Sequence, residues 1–338
     1  MNKLLEKIVQ PTEYAGALAM VWTVRRLPYG CISPLARCAA FAMRAAFPFN
    51  KLIEANVRAA MPELSKREVK RIRRESYYHM VRNLLEFVWI NNDPERIRRC
   101  YYPPQSVVDL VMGHIRRGER VIFITPHLGS WEASGLMVPF YGNFDMAAIA
   151  KPVHNPYLNK LLNSGGREKQ KGLHIIFSRG AARTAVKLLK QGMSIGTLID
   201  QNTRVRDGGR FLDFFGLPVA SSVSPAVLKR YCDARGIPAV VLFGASLRMP
   251  DGRIQGFCEE LPKPFDAYPD DRAVIQEVMD LSAKYIRAYP EQYLWLYKRF
   301  QHIPPDCPEE LRKRYPYYAR VPKQSFFMAG KHRRDFAE

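Results

Sequence analysis

The segment Thr125-Pro-His-Leu-Gly-Ser-Trp-Glu132 sets a histidine and a carboxylate on either side of a turn-forming glycine. It follows the apolar run Val121-Ile-Phe-Ile, whose length and branched side chains predict a buried strand, and it continues into helix-forming residues. Gly129 permits a sharp turn and Ser130 is a good N-cap. His127 therefore falls on a strand-to-helix loop, and Glu132 in the first helical turn, where its charge suits the helix dipole. Five residues apart across such a turn, the carboxylate is expected to fold back onto one imidazole nitrogen. The other nitrogen is then free to take a proton from a substrate hydroxyl. That is the base and orienting acid of a Ser-His-Asp triad, with a substrate alcohol in the place of the serine.

Other chemistries fit these residues less well. A histidine after a strand also occurs as a satisfied structural residue, and the segment alone leaves that alternative open. Zinc would want the HExxH helix spacing or nearby cysteines, and neither is present. Ser130 as a nucleophile would want a GxSxG elbow, and only Gly129 stands beside it. His79, His114, His154, His174, His302 and His332 lack the strand–turn–acid context. The six cysteines (Cys31, Cys38, Cys100, Cys232, Cys258, Cys307) form no CxxC pair, so they read as small buried hydrophobes in a reducing compartment. Neither a metal nor a cofactor is expected.

The elements around this segment alternate. Helices are predicted over 105–117, 158–171, 181–190, 222–235 and 273–289, and strands over 121–125, 146–150, 173–177, 194–199 and 238–243. Such alternation argues for an α/β fold, a mostly parallel central sheet with helices on both faces. Sites in such sheets gather at the carboxyl ends of strands, where Asp200 and Gln201 also fall. The expected organisation is an apolar, membrane-associating segment over 1–50, a basic helical region over 51–99 that packs on the core, the α/β domain over 100–320, and a basic flexible tail over 321–338 with Lys331, Arg333 and Arg334.

Charge and hydropathy bound the partners. The chain carries 52 Lys+Arg against 32 Asp+Glu, a net charge of +20. Such a field attracts nucleic acid, an anionic membrane leaflet, an acidic carrier protein or a phosphorylated substrate. No helix-turn-helix, RRM or zinc-finger pattern is present, so nucleic acid is not an expected partner. Residues 14–24 (YAGALAMVWTV) would rise only about 16 Å as a helix against a hydrocarbon core of about 30 Å. With the second apolar stretch over 35–49, flanked by Arg and aromatics, they read as an interfacial anchor, or else as core helices. A basic helix over 65–89 begins with a Ser65/Glu68 capping box. Its first turns carry Lys66, Arg67, Lys70, Arg71, Arg73 and Arg74, which either face solvent or meet phosphate headgroups.

The hexamer His127-Leu-Gly-Ser-Trp-Glu132 resembles the His-x4-Asp/Glu box of membrane acyltransferases, in the form found in the late lauroyl and myristoyl acyltransferases of lipid A biosynthesis. The resemblance continues in order through Asn155-Pro156, Arg167, Ile199-Asp200-Gln201, Phe214-Phe215-Gly216-Leu-Pro218, Tyr289-Pro-Glu-Gln292, Trp295 and Lys298-Arg299-Phe300, over about residues 50 to 305. It implies a fold like that of the glycerol-phosphate acyltransferases. It also implies transfer of a fatty acyl group from acyl carrier protein or coenzyme A to a hydroxyl of an anionic lipid A precursor, at the cytoplasmic face of the inner membrane. In it His127 is the base and Glu132 its orienting acid, while N–H groups near Gly129 and Ser130, or a nearby cation, hold the oxyanion. Arg167, Asp200 and Gln201 stand at substrate-binding positions; Arg167 would take a phosphate or carboxylate of the acceptor, or is a surface helix cation. Phe214 and Phe215 read as packing or as a lining of the acyl channel, and Trp295 and Arg299 as structural. Arg179 is a weaker candidate. Two features depart from the family pattern. Residues 14–24 are short for the usual spanning helix, and Ser221, Ser222, Ser224 and Pro225 stand where Thr and Gly are common. Another lipid acceptor would keep the same core, although the PEGTR-like block of the glycerolipid enzymes is absent.

Overall fold

The computed structural model of the chain describes residues 3–47, 49–90, 93–169, 171–177 and 181–328; Arg179, Lys331, Arg333 and Arg334 lie outside the described residues. Four helices come first: α1 (Lys3–Arg26), α2 (Ile32–Ala46), α3 (Asn50–Ala60) and α4 (Lys66–Ile90). The short α5 (Pro94–Cys100) and β1 (Tyr101–Tyr102) lead to α6 (Gln105–Arg116), β2 (Arg120–Thr125) and α7 (Trp131–Gly142). Next come β3 (Met146–Ala150), α8 (Pro156–Leu162), β4 (Leu173–Phe177), α9 (Ala181–Lys190) and β5 (Ser194–Leu198). The β6 (Gly209–Phe214) and β7 (Leu217–Ser222) pair, α10 (Ser224–Asp233), β8 (Ala239–Arg248), β9 (Ile254–Glu260) and α11 (Asp271–Ala288) follow.

Seven strands form one sheet in the order β1-β9-β8-β2-β5-β3-β4, and every neighbour pair is parallel except β8 with β9. This is the expected α/β class with a mostly parallel sheet. The central strand β2 is buried along its middle, with Val121, Ile122 and Ile124 fully enclosed. Each such side chain stabilises the fold by about 1.5–3 kcal/mol relative to exposure. The antiparallel β9 and the β6–β7 hairpin have no counterpart among the expected elements. The hairpin turns at Phe215 and Gly216, both at positive φ (59° and 73°), and Phe214 packs on Phe300 and Tyr293. The helix expected over 158–171 ends at Leu162. A Cβ at Gly165 or Gly166 would come within 2.6 Å of a backbone carbonyl, so this glycine pair belongs to a tight turn rather than to a continuing helix.

Helix α4 joins the helical region to the sheet. The Ser65/Glu68 capping box forms, with Ser65 N–H donating to Glu68 Oε2 at 2.8 Å and Glu68 N–H to Ser65 Oγ at 3.3 Å. Farther along, the fully buried Glu86 accepts from Arg82 on its own helix and from Arg248 at the end of β8, at 2.8 Å in each case. Of the six cations near its start, Arg71, Arg73 and Arg74 pair with Glu291, Glu54 and Glu75, which leaves less of that face for outside anions than the sequence suggests. Helix α2 buries Ile32, Ala36 and Ala40 and leaves Phe41 exposed; Trp22 of α1 is exposed with the Arg26 guanidinium 3.9 Å over its ring. Among the described residues, no helix is long and apolar enough to cross a membrane.

Candidate active site

Parallel register builds the site. Thr125 of β2 pairs with Leu198 of β5, so the residues two places beyond them, His127 and Asp200, leave the sheet side by side at its carboxyl edge. The His127 N–H donates to Asp200 Oδ2 at 2.9 Å, and ring Nδ1 lies 2.6 Å from Oδ1. Asp200 is 2% exposed, and burial alone would raise its carboxyl pKa. The His127 charge, its two hydrogen bonds and the Arg299 guanidinium outweigh that, and hold the carboxyl below its ordinary value. An ionised Asp200 fixes the Nδ1–H tautomer and leaves the Nε2 lone pair outward, where Gln201 Nε2 donates to it at 3.3 Å.

Glu132 points elsewhere. Its carboxylate is gripped by Arg167, with Nη2 at 2.6 Å from Oε1 and Nε at 3.0 Å from Oε2, and Asn163 accepts from Arg167 Nη1 at 2.9 Å. The expectation that Glu132 orients His127 is therefore corrected: Asp200 occupies Nδ1, and Glu132 is neutralised by a bidentate cation. The reason lies in the turn. Gly129 takes a left-handed φ of 64°, α7 starts at Trp131, and the strand next door delivers an acid to the imidazole before the helix can. Arg167 is accordingly not a free surface cation.

Gly129 and Ser130 also have other work than expected. Gly129 N–H donates to the Gln292 carbonyl at 2.9 Å and Ser130 N–H to the Ser246 carbonyl at 2.7 Å. Both amides are taken, so neither is an oxyanion donor in this arrangement. A Cβ at Gly129 would sit 2.0 Å from the Ser246 oxygen, which is why this turn can hold only glycine. Ser130 makes no side-chain cap; its hydroxyl donates to Asn83 of α4 at 3.2 Å.

His127, Glu132, Arg167 and Gln201 line one cavity of about 460 Å³. The rest of its wall mixes apolar side chains, among them Val107 and Val111 of α6, Phe123 of β2, Met146 of β3 and Phe257 of β9, with polar ones such as Lys151, Thr197 and Ser246. Phe214 and Phe215 are not on that wall, and Asn155-Pro156 caps α8, its side-chain oxygen accepting from Tyr157 N–H at 3.0 Å. Ser222 and Ser224 bond each other, and the Ser221 hydroxyl accepts from Arg299. No group of three or more potential metal ligands occurs among the described residues.

The family model for bacterial lipid A biosynthesis acyltransferases matches residues 3–302. The chain belongs to that family. The acyltransferase is 25% identical over 307 residues to the lipid A biosynthesis lauroyltransferase of Escherichia coli (strain K12), covering 86% of this chain and 92% of that enzyme. It is 26% identical over 300 residues to the lipid A biosynthesis palmitoleoyltransferase of the same organism, covering 85% and 90%. The acyltransferase supports its site with residues whose part the sequence did not reveal. Tyr293 is buried beside Asp200, where burial and then the Asp200 charge push its phenol pKa up, and its N-terminal neighbour Gln292 accepts from Gly129 through its carbonyl. The Leu294 N–H donates to the His127 carbonyl at 3.1 Å. The buried Arg299, expected to be structural, donates to the Ala220 carbonyl at 3.1 Å and to Asn202 at 3.4 Å while its charge favours ionised Asp200. The clues available in sequence were that Asp200, like His127, stands just past a strand, and that Asp200, Gln292 and Arg299 fall in blocks resembling the family pattern.

Proposed function

We propose that this acyltransferase moves a fatty acyl group from an acyl thioester, on acyl carrier protein or coenzyme A, to a hydroxyl of a lipid A precursor. The observation that carries the reading is the His127–Asp200 pair at 2.6 Å on the wall of a cavity that apolar side chains also line. The acyl chain lies along Val107, Val111, Phe123 and Met146, which brings the thioester carbonyl toward His127. The acceptor hydroxyl displaces Gln201 from Nε2 and gives up its proton as it attacks the carbonyl. Asp200 stabilises the imidazolium that forms, which then protonates the departing thiolate. The positive end of α7, whose first-turn amides have no partner within the helix, and the Gln201 amide meet the oxyanion. Glu132 and Asn163 hold Arg167 on the cleft wall through four of its N–H groups, which leaves one Nη1 N–H available to an acceptor phosphate.

Membrane association is peripheral, at the cytoplasmic face of the inner membrane, through the exposed Leu18, Trp22, Phe41 and Phe47 with Arg26 and Arg44 beside them. The net charge of +20 suits an acidic carrier protein and an anionic leaflet. The test supplies acyl carrier protein thioester and a lipid A precursor in vesicles of anionic phospholipid. Wild type forms the acylated product, and His127→Ala lowers kcat about 10³-fold or more. Equal turnover by the variant would remove the mechanism. Acylation only of other hydroxyl lipids would keep the chemistry and change the acceptor.

A further inference from the structure

A second cavity, of about 270 Å³, lies among α1, α4, α7 and α8. Met20 and Val21 of α1, Phe87 and Val88 of α4, and Leu158 and Leu161 of α8 form much of its wall. Arg25 is the only charged residue on that wall among the described residues. Close-packed interiors leave few voids of this size, and an apolar one offers water almost no hydrogen-bond partners. The cavity is not sealed, because Leu84 on its wall is 43% exposed, and it borders α1, whose Leu18 and Trp22 also face outward. It touches the reaction cleft directly. Val153 and Leu162 line both cavities, and Gly166 on the wall of the smaller one is followed by Arg167 on the wall of the larger.

We propose that this second cavity takes a hydrocarbon chain of the acceptor lipid while the acceptor's headgroup lies against Arg167 and His127. The inference rests on the acyl-transfer reading above. An acyl thioester brings a single chain, and the larger cavity accommodates it, so a second apolar site sharing a wall with the cleft belongs to the other substrate. Its position beside α1 lets an acceptor chain pass from the bilayer into the protein without crossing water, which keeps its transfer cost low. The acceptor is then recognised at two points, an anionic group at Arg167 and a chain between α1 and α4.

The experiment compares two acceptors of the same sugar-phosphate headgroup, one with full-length acyl chains and one with those chains cut to a few carbons. Donor thioester and detergent are held constant. Ala17→Phe fills the cavity and Leu84→Glu places a charge on its rim, both at positions already partly open to solvent. In each variant the ratio of kcat/KM for the full-length acceptor to kcat/KM for the short one falls about tenfold, the equivalent of about two methylenes lost from an apolar site. A ratio is independent of the fraction of folded enzyme, so partial unfolding cannot imitate the result. Ratios equal to wild type in both variants overturn the second cavity alone. A wild type that acylates neither acceptor overturns the acyl-transfer reading and this proposal with it.

Discussion

Two carboxylates reach the same cleft, and they are held in opposite ways. Asp200 is buried, accepts from the His127 amide and ring together, and is backed by Tyr293 and Arg299. Glu132, with its side chain 23% exposed, gives both oxygens to the Arg167 guanidinium. The difference separates a carboxylate held to an imidazole from one held to a guanidinium. A carboxylate enclosed with an imidazole sets its tautomer, whereas one neutralised by arginine sets where that positive charge stands. Nearness in the chain does not assign these parts. Glu132 is five residues from His127 and Asp200 is seventy-three, yet the sheet gives the imidazole to the distant acid.

The sharpest way to break this comparison is to neutralise each acid in turn. Asp200→Asn lowers kcat about 10³-fold, because the amide favours the wrong tautomer, and it changes the pH profile of kcat. Should Glu132→Gln alter the profile while Asp200→Asn leaves it intact, the two assignments would have to be exchanged. A smaller effect is expected at the ion pair. Glu132→Gln and Arg167→Lys each cost about 10–100-fold, mainly in KM for the anionic acceptor. Their double variant costs less than the product of the singles, by a coupling of about 1–3 kcal/mol in a double-mutant cycle; strict additivity would mean that the two side chains act apart.

The smallest effect is on stability. The Asp200 carboxyl has its pKa depressed below 3.8 in the folded chain, so the unfolded chain binds more protons across that window. The resulting stabilisation is present above pH 3.8 and is lost as pH falls through the depressed value. Chemical denaturation should find wild type more stable than Asp200→Asn by about 1–3 kcal/mol near pH 7, with the gap narrowing on acidification below pH 3.8. A gap that widened there would show that Asp200 is not held ionised.

Much of the fold is legible in the sequence. The alternation of strands and helices predicted the α/β class, and β3, β4 and α9 fall on the expected residues. His127 and the turn at Gly129 were legible because strand, glycine and helix start are all local patterns, and Asp200 and Gln201 stood out as residues just past a strand. What escaped was the partnership of Asp200 with His127, the grip of Arg167 on Glu132, and the bracing from Tyr293 and Arg299. Each depends on elements far apart in the chain.

The sequence by itself therefore determined that His127, Asp200 and Gln201 stand at the carboxyl edge of a parallel sheet, since residue type, strand period and turn chemistry act over a few residues. The tertiary structure alone decided which acid serves the imidazole. Strand order places β5 beside β2, and that order is set by how helices and sheet bury their apolar faces together, a property of the whole chain that no short segment contains. His127 was recognisable in its heptad of neighbours; its acid became known only when two strands were seen to lie side by side.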